Sequence, residues 1–161
     1  GYTNQLHNDN IVPTHLHKTP VILTKNEKGE IQAFHNVCRH RGNKLVKECK
    51  KSKAISCHYH KWIYNLDGTL LSTPLYKPDK EVFNKKDYPL YPIKTEVINN
   101  IIFGNLSTSD NNDSDNILSA QEYYGDACDI LNQYPLTKCK IVREKTYEID
   151  CNWKLLIDKV I

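Results

Sequence analysis

Apolar residues alternate with polar ones in short runs along the first part of the chain, which is the pattern of β-strands. Residues 21–24 and 31–34 form two such runs around a turn, and residues 93–105 form two more around Asn99-Asn100. Asp67-Gly68 marks a further tight turn, within residues 65–70. The pattern therefore predicts antiparallel hairpins at these three places.

The later part of the chain follows other patterns. Residues 72–92 contain four of the seven prolines and predict a loop, and residues 107–116 are polar and predict a flexible linker. Apolar positions in residues 117–132 predict a helix, although Gly125 is unfavourable inside one. Alternation in residues 140–149 predicts a long strand.

Composition narrows the functional classes. The 161 residues carry 22 Lys and Arg against 19 Asp and Glu, and this net charge of +3 is small for a dedicated nucleic-acid binder. The apolar runs are far shorter than the roughly 20 residues of a membrane span, and the chain does not open on a signal-peptide pattern. It contains no methionine and begins at Gly1, so we expect a chain cut from a longer protein.

Two of the six cysteines stand beside histidines. The motifs are Cys38-x-His40 and, sixteen residues further on, Cys57-x-x-His60. Each motif offers one thiolate and one imidazole, whereas a common zinc finger pairs Cys with Cys and His with His. The order suits two irons, one bound by both thiolates and the other by both imidazoles. Metal is favoured over disulfides, and a reducing compartment, the cytoplasm, is expected.

Residues 36–42 and 57–68 resemble the two ligand loops of Rieske [2Fe–2S] proteins, in the form found in Rieske non-haem iron oxygenases, the ring-hydroxylating oxygenase α-subunits. The resemblance implies that Cys38 and Cys57 bind one iron of a [2Fe–2S] cluster and that His40 and His60 bind the other. It implies a mainly β Rieske fold with an antiparallel base sheet, plus one helix near the C-terminal part.

The same resemblance suggests how the chain is divided. We expect a Rieske domain over residues 1–106, with an inserted cluster-binding subdomain at about 37–77. A polar loop and helix follow over residues 107–134, and residues 135–161 begin a truncated catalytic domain.

Two positions, Lys61 and His58, depart from the pattern that is usual in the oxygenases. Lys61 stands where oxygenases usually have Gly, and His58 stands where Pro is frequent. The spacing of His58 from Cys57 does not suit a ligand. Respiratory Rieske proteins clamp the two loops with a disulfide, and the corresponding positions here resemble Asn43 and Tyr59. The resemblance therefore implies the low end of the Rieske potential range of about −150 to +300 mV.

Neighbouring side chains are candidates for supporting roles. Tyr59, Trp62 and Tyr64 are expected to pack around the cluster, although ordinary loop packing explains them equally well. Arg39, Arg41 and Lys61, with five lysines in residues 44–53, predict a basic end that docks an acidic ferredoxin or a flavin-dependent reductase. The alternative is a solvated loop.

The resemblance implies electron transfer without the oxygenation. A Rieske oxygenase also needs a mononuclear Fe(II), held by two histidines and a carboxylate, and no histidine follows His60. That iron is expected only in the full-length protein, in the same subunit or a neighbouring subunit of a homotrimer. Mono- and dioxygenation both stay open. A free-standing Rieske ferredoxin and a structural zinc module are the alternatives.

Overall fold

The computed structural model describes residues 1–6, 10–77, 83–107 and 118–157, and two antiparallel sheets form its frame. The larger sheet has five strands in the order β1-β2-β3-β7-β8, and the smaller has β4-β5-β6. The strands are β1 Ile11–Leu16, β2 Thr19–Lys25, β3 Ile31–His35, β4 Ala54–Ser56, β5 Ile63–Asn65, β6 Leu70–Ser72, β7 Pro92–Ile98 and β8 Ile101–Asn105. The small sheet is thus inserted between β3 and β7, which pair with each other.

The three predicted turns are confirmed, and their residue types explain them. Asn99 and Asn100 both have positive φ, 43° and 72°, and connect β7 to β8 as a two-residue loop. Asparagine tolerates this left-handed backbone, which matches the twist of a hairpin. In the β5–β6 turn Gly68 has a φ of 82°, and the Asp67 side chain accepts a hydrogen bond of 2.9 Å from the Thr69 backbone N–H.

Two hydrophobic clusters lie on opposite faces of the large sheet's central strands. Ile22 of β2 belongs to one cluster, while its neighbours Val21 and Leu23 belong to the other. Because side chains alternate along a strand, a strand buried on both faces has a continuous apolar run. The first cluster joins the large sheet to the small one, and it contains Ile11, Ile22, Phe34, Cys38, Leu45, Val46, Ile55, Cys57, Trp62, Tyr64, Leu66, Leu70 and Leu90.

The predicted helix over residues 117–132 forms as two helices, α1 Ala120–Tyr124 and α2 Asp126–Asn132. They separate at Gly125, whose φ of 50° and ψ of −128° are not helical. Ser119 caps α1 by accepting a hydrogen bond of 3.1 Å from the Glu122 backbone N–H. The Asn99 side chain then donates to the Leu131 carbonyl at 2.6 Å, which holds α2 against the β7–β8 turn.

The long strand predicted over residues 140–149 is wrong. These residues pair with no strand within the described part of the chain, and Val142 is 88 % exposed. An alternating sequence becomes a stable strand only when another strand and a core cover it. A third short helix, α3 Trp153–Ile157, follows.

Other predicted segments are only partly described. Of the predicted polar loop, residues 108–116 lie outside the described residues, and so do residues 78–82 of the proline-rich loop. No helix among the described ranges has the length and apolar character that crossing a membrane requires.

Candidate metal centre

The two sequence motifs lie in two loops that are built alike. The Gly42 backbone N–H donates to the Cys38 carbonyl at 3.0 Å, and the Lys61 N–H donates to the Cys57 carbonyl, also at 3.0 Å. Each loop therefore turns four residues after its cysteine. The turning residues have φ values of 67° at Gly42 and 57° at Lys61, so Lys61 adopts a left-handed backbone that favours glycine. This explains in physical terms why glycine is usual at that position.

The structure brings the two predicted imidazole ligands together. The ring centroids of His40 and His60 are 4.7 Å apart, with an angle of 75° between the rings. His40 Nδ1 is buried and has no hydrogen-bond partner among the described residues. A buried polar atom without a partner costs free energy, so this nitrogen suits a metal bond.

The two predicted thiolate ligands also lie together, deeper than the histidines. Cys38 is 3 % exposed and Cys57 is 2 % exposed. Burial raises the pKa of the Cys38 thiol, the neighbouring Cys57 adds to the rise, and hydrogen bonds from Tyr64 and the backbone oppose it. Metal coordination is the chemistry that deprotonates such buried thiols.

The donor set therefore divides into a buried cysteine pair and a histidine pair nearer the surface. A structural zinc site needs four ligands around one ion, whereas a Rieske cluster needs two thiolates on one iron and two imidazoles on the other. The residues present fit the two-iron cluster.

Comparison with known proteins shows the family to which the chain belongs. The sequence model of the Rieske [2Fe-2S] domain matches residues 1–92. The chain belongs to the Rieske [2Fe-2S] domain family. The glycine betaine monooxygenase oxygenase subunit of Pseudomonas aeruginosa is 34 % identical over 151 residues, which are 92 % of this chain and 33 % of that protein.

This Rieske domain is also similar to an oxygenase α-subunit and to a solved Rieske monooxygenase. The benzene 1,2-dioxygenase α-subunit of Pseudomonas putida is 28 % identical over 92 % of this chain and 32 % of its own length. A crystal structure of a quaternary ammonium Rieske monooxygenase superposes with a TM-score of 0.78 over 98 % of this chain and 42 % of that one, at 24 % identity, which shows a shared fold. The chain spans about a third of the length of these curated relatives.

Tyr64 connects the two ligand loops of the Rieske domain. Its hydroxyl lies 3.3 Å from Cys38 Sγ, and its oxygen accepts a hydrogen bond of 3.1 Å from the Arg39 backbone N–H. Tyr64 is fully buried, and burial raises its pKa well above the usual range, so the hydroxyl keeps its proton. Because the Arg39 N–H already donates to the oxygen, the hydroxyl proton is available to Cys38 Sγ.

The other two predicted aromatic neighbours contact the histidines. Trp62 is 2 % exposed and stacks on His40, with ring centroids 4.9 Å apart and 7° between the planes. Tyr76, Phe83 and Tyr88 form an aromatic cluster that also packs against Trp62. Tyr59 is exposed, and its ring centroid lies 3.9 Å from that of His60. Trp62 thus supports the histidine pair from the interior, and Tyr59 lies at its solvent side.

The three predicted docking residues differ in their surroundings. Arg41 and Lys61 are exposed, as docking requires. Arg39 is half-buried, with its guanidinium 3.9 Å from the Tyr91 ring centroid and Nη2 donating to the Asp87 carbonyl at 3.3 Å. Arg39 therefore ties the first ligand loop to the segment that leads into β7.

Sequence reasoning missed the role of Asn36, which is 2 % exposed and lies at the base of the first ligand loop. Its side-chain oxygen accepts hydrogen bonds from the Leu45 and Val46 N–H groups at 3.1 and 2.9 Å, and its amide donates to the Val46 carbonyl at 2.7 Å. Asn36 thus closes the loop that carries Cys38 and His40. The signal that the sequence offered is its place in the segment 36–42, which resembles a Rieske ligand loop, two residues before Cys38.

Proposed function

We propose that this chain is the electron-transfer part of a Rieske non-haem iron oxygenase. It would receive one electron at a time from a ferredoxin or flavin-dependent reductase and pass it to a mononuclear iron held elsewhere in the full-length protein. The observation that carries the proposal is the His40–His60 contact above two buried cysteines. The oxygenase relatives support it.

We propose Cys38 and Cys57 as the ligands of one iron, and His40 and His60 as the ligands of the other. The cluster, when bound, supplies a one-electron couple whose potential is raised by two neutral imidazoles in place of anionic thiolates. The chain holds the cysteines away from water and the histidines near the surface. The distance from the cluster to the protein surface is therefore shorter on the histidine side, and we expect electrons to enter and leave there.

The division of the chain is part of the same proposal. Residues 1–106 form the Rieske domain, with the cluster-binding subdomain at about 37–77, and residues 135–161 begin the catalytic domain. A homotrimer would allow the electron to reach the iron of a neighbouring subunit. The exposed residues 140–149 support the proposal, because a further part of the protein would cover their apolar side chains.

Reconstitution of the chain with iron and sulfide tests the proposal. We expect a coloured protein with two irons and two acid-labile sulfides, because the donor set provides one thiolate pair and one imidazole pair. Metal analysis, the visible spectrum and electron paramagnetic resonance of the reduced protein measure this. Nitrogen hyperfine coupling from two imidazoles is expected. A colourless chain that holds one zinc ion would contradict it.

Replacing Tyr64 by phenylalanine should lower the reduction potential. A hydrogen bond to a thiolate ligand stabilises the more negative, reduced cluster, and Tyr64→Phe removes it while the ring stays in place. A differential strength of about 1 kcal/mol corresponds to about 40 mV for one electron. Redox titration measures the shift. The control Tyr88→Phe removes a hydroxyl from the neighbouring aromatic cluster and should leave the potential close to that of the unaltered chain.

A further inference from the structure

Asn43 lies where the two ligand loops meet, and it contacts both predicted cysteine ligands. Its backbone carbonyl accepts a hydrogen bond of 2.8 Å from the Cys38 N–H. Its side-chain Nδ2 lies 3.7 Å from Cys57 Sγ, within hydrogen-bonding distance of a sulfur acceptor. One residue thus joins the first ligand loop to the sulfur atom of the second.

The Asn43 amide has two hydrogens and three polar atoms nearby, of which His58 Nδ1 is an acceptor in one of its two tautomers. Nδ2 lies 3.0 Å from the Lys44 carbonyl, 3.5 Å from His58 Nδ1 and 3.7 Å from Cys57 Sγ. The Lys44 carbonyl is nearest and takes one hydrogen. The other points towards the second loop, where His58 and Cys57 compete for it. His58 is exposed, whereas Cys57 is buried and cannot turn away.

We propose that Asn43 is a polar latch between the two ligand loops and that its amide donates to Cys57 Sγ, which raises the reduction potential of the cluster. The inference rests on the proposed ligand set. Asn43 is a positioning residue here, since it acts on the iron through Cys57. It reaches Cys57 from the opposite loop, as Tyr64 reaches Cys38, so each sulfur receives one donor from the other loop.

The test is a redox titration of the cluster-loaded Asn43→Leu chain. Leucine has a similar size but no donor, so the reduced cluster loses a stabilising hydrogen bond. We expect the equilibrium constant for reduction to fall about two- to fivefold, which corresponds to about 18 to 41 mV at 59 mV per tenfold change. Iron content and the visible spectrum, measured on the same sample, show that the cluster is intact.

Three further variants distinguish the effect of the amide donor from the effect of charge and from the effect of His58. Asn43→Asp keeps the shape of the side chain but loses the donor and adds a negative charge. Lys44→Met changes the net charge by the same amount and keeps Asn43. The reduction potential of Asn43→Asp should therefore fall further than that of Lys44→Met. His58→Ala frees the second amide hydrogen for Cys57, so its potential should stay the same or rise. A fall in His58→Ala as large as that in Asn43→Leu would assign the effect to the histidine and overturn the latch.

The outcomes also distinguish the latch from the proposed function. If the unaltered chain takes up a two-iron cluster and Asn43→Leu, with the same iron content, keeps the unaltered potential, only the latch is overturned. If Asn43→Leu does not take up the cluster, the reduction potentials of Asn43→Asp and Lys44→Met are compared instead. Equal potentials of these two variants would overturn the latch. An unaltered chain without such a cluster would overturn both proposals.

Discussion

The His60→Ala chain is expected to lose the two-iron cluster. His60 lies against His40 at the edge of the site, and its removal leaves one iron with a single protein ligand. Substitutions of residues that only orient a ligand reduce metal affinity about 10- to 100-fold, so the loss of a direct ligand should exceed that. Iron content, acid-labile sulfide and visible absorption after identical reconstitution measure the loss.

His58→Ala is the matched control, because His58 and His60 flank Tyr59 in the same loop. His58 is exposed, and its described contact is with Asn43 Nδ2 rather than with His40. The His58→Ala chain should retain its iron and colour. Loss of the cluster in His58→Ala together with retention in His60→Ala would reassign the fourth ligand to His58.

The hairpins could be predicted from the sequence because their turns are local. Asp67-Gly68 and Asn99-Asn100 determine the backbone directions of their own residues, whatever the rest of the chain does. The prediction missed β1, whose sequence contains the strand-unfavourable Pro13 and the polar residues Thr14 and His15. That strand depends on its pairing with β2, which is a tertiary contact.

In the later part of the chain, the sequence pattern predicted elements that the structure does not form. Residues 140–149 have a strand pattern and no strand partner in the described part of the chain, and Gly125 divides what the periodicity joined into one helix. Periodicity reports which side chains need covering, but it does not report what covers them. No strand among the described residues covers this segment.

Part of the candidate site could be predicted from the sequence and part of it could not. The spacing of the motifs predicted that Cys38, His40, Cys57 and His60 converge, and the structure brings them together as two pairs. The spacing did not predict the side chains that contact the sulfur atoms, Tyr64 at Cys38 and Asn43 at Cys57. These contacts depend on how β4, β5 and the first loop pack together, so no spacing rule contains them.

Gly68→Ala is expected to destabilise the fold more than the same substitution at Gly29, the glycine of the β2–β3 turn. Gly68 has a φ of 82°, and a Cβ there would lie 2.8 Å from Phe34 Cζ and 3.0 Å from Phe34 Cδ1. The left-handed backbone costs an L-residue about 1–2 kcal/mol, and overpacking costs typically another 1–3 kcal/mol. Alanine also restricts the unfolded chain, which offsets this loss of stability by about 0.4–1 kcal/mol. We expect a loss of about 2–4 kcal/mol.

Gly29→Ala separates the two causes. Gly29 has nearly the same φ, 84°, but a Cβ there meets no atom within 4 Å. It should therefore lose only the backbone share, about 1 kcal/mol. Denaturant unfolding of the two variants measures the difference, and at about 2–4 °C per kcal/mol the melting temperatures should separate clearly. Equal losses would show that Phe34 moves aside freely. Phe34 shares a hydrophobic cluster with Cys38 and Cys57. If the Phe34 ring cannot move aside, the Gly68→Ala substitution should therefore also disturb the packing of the metal centre.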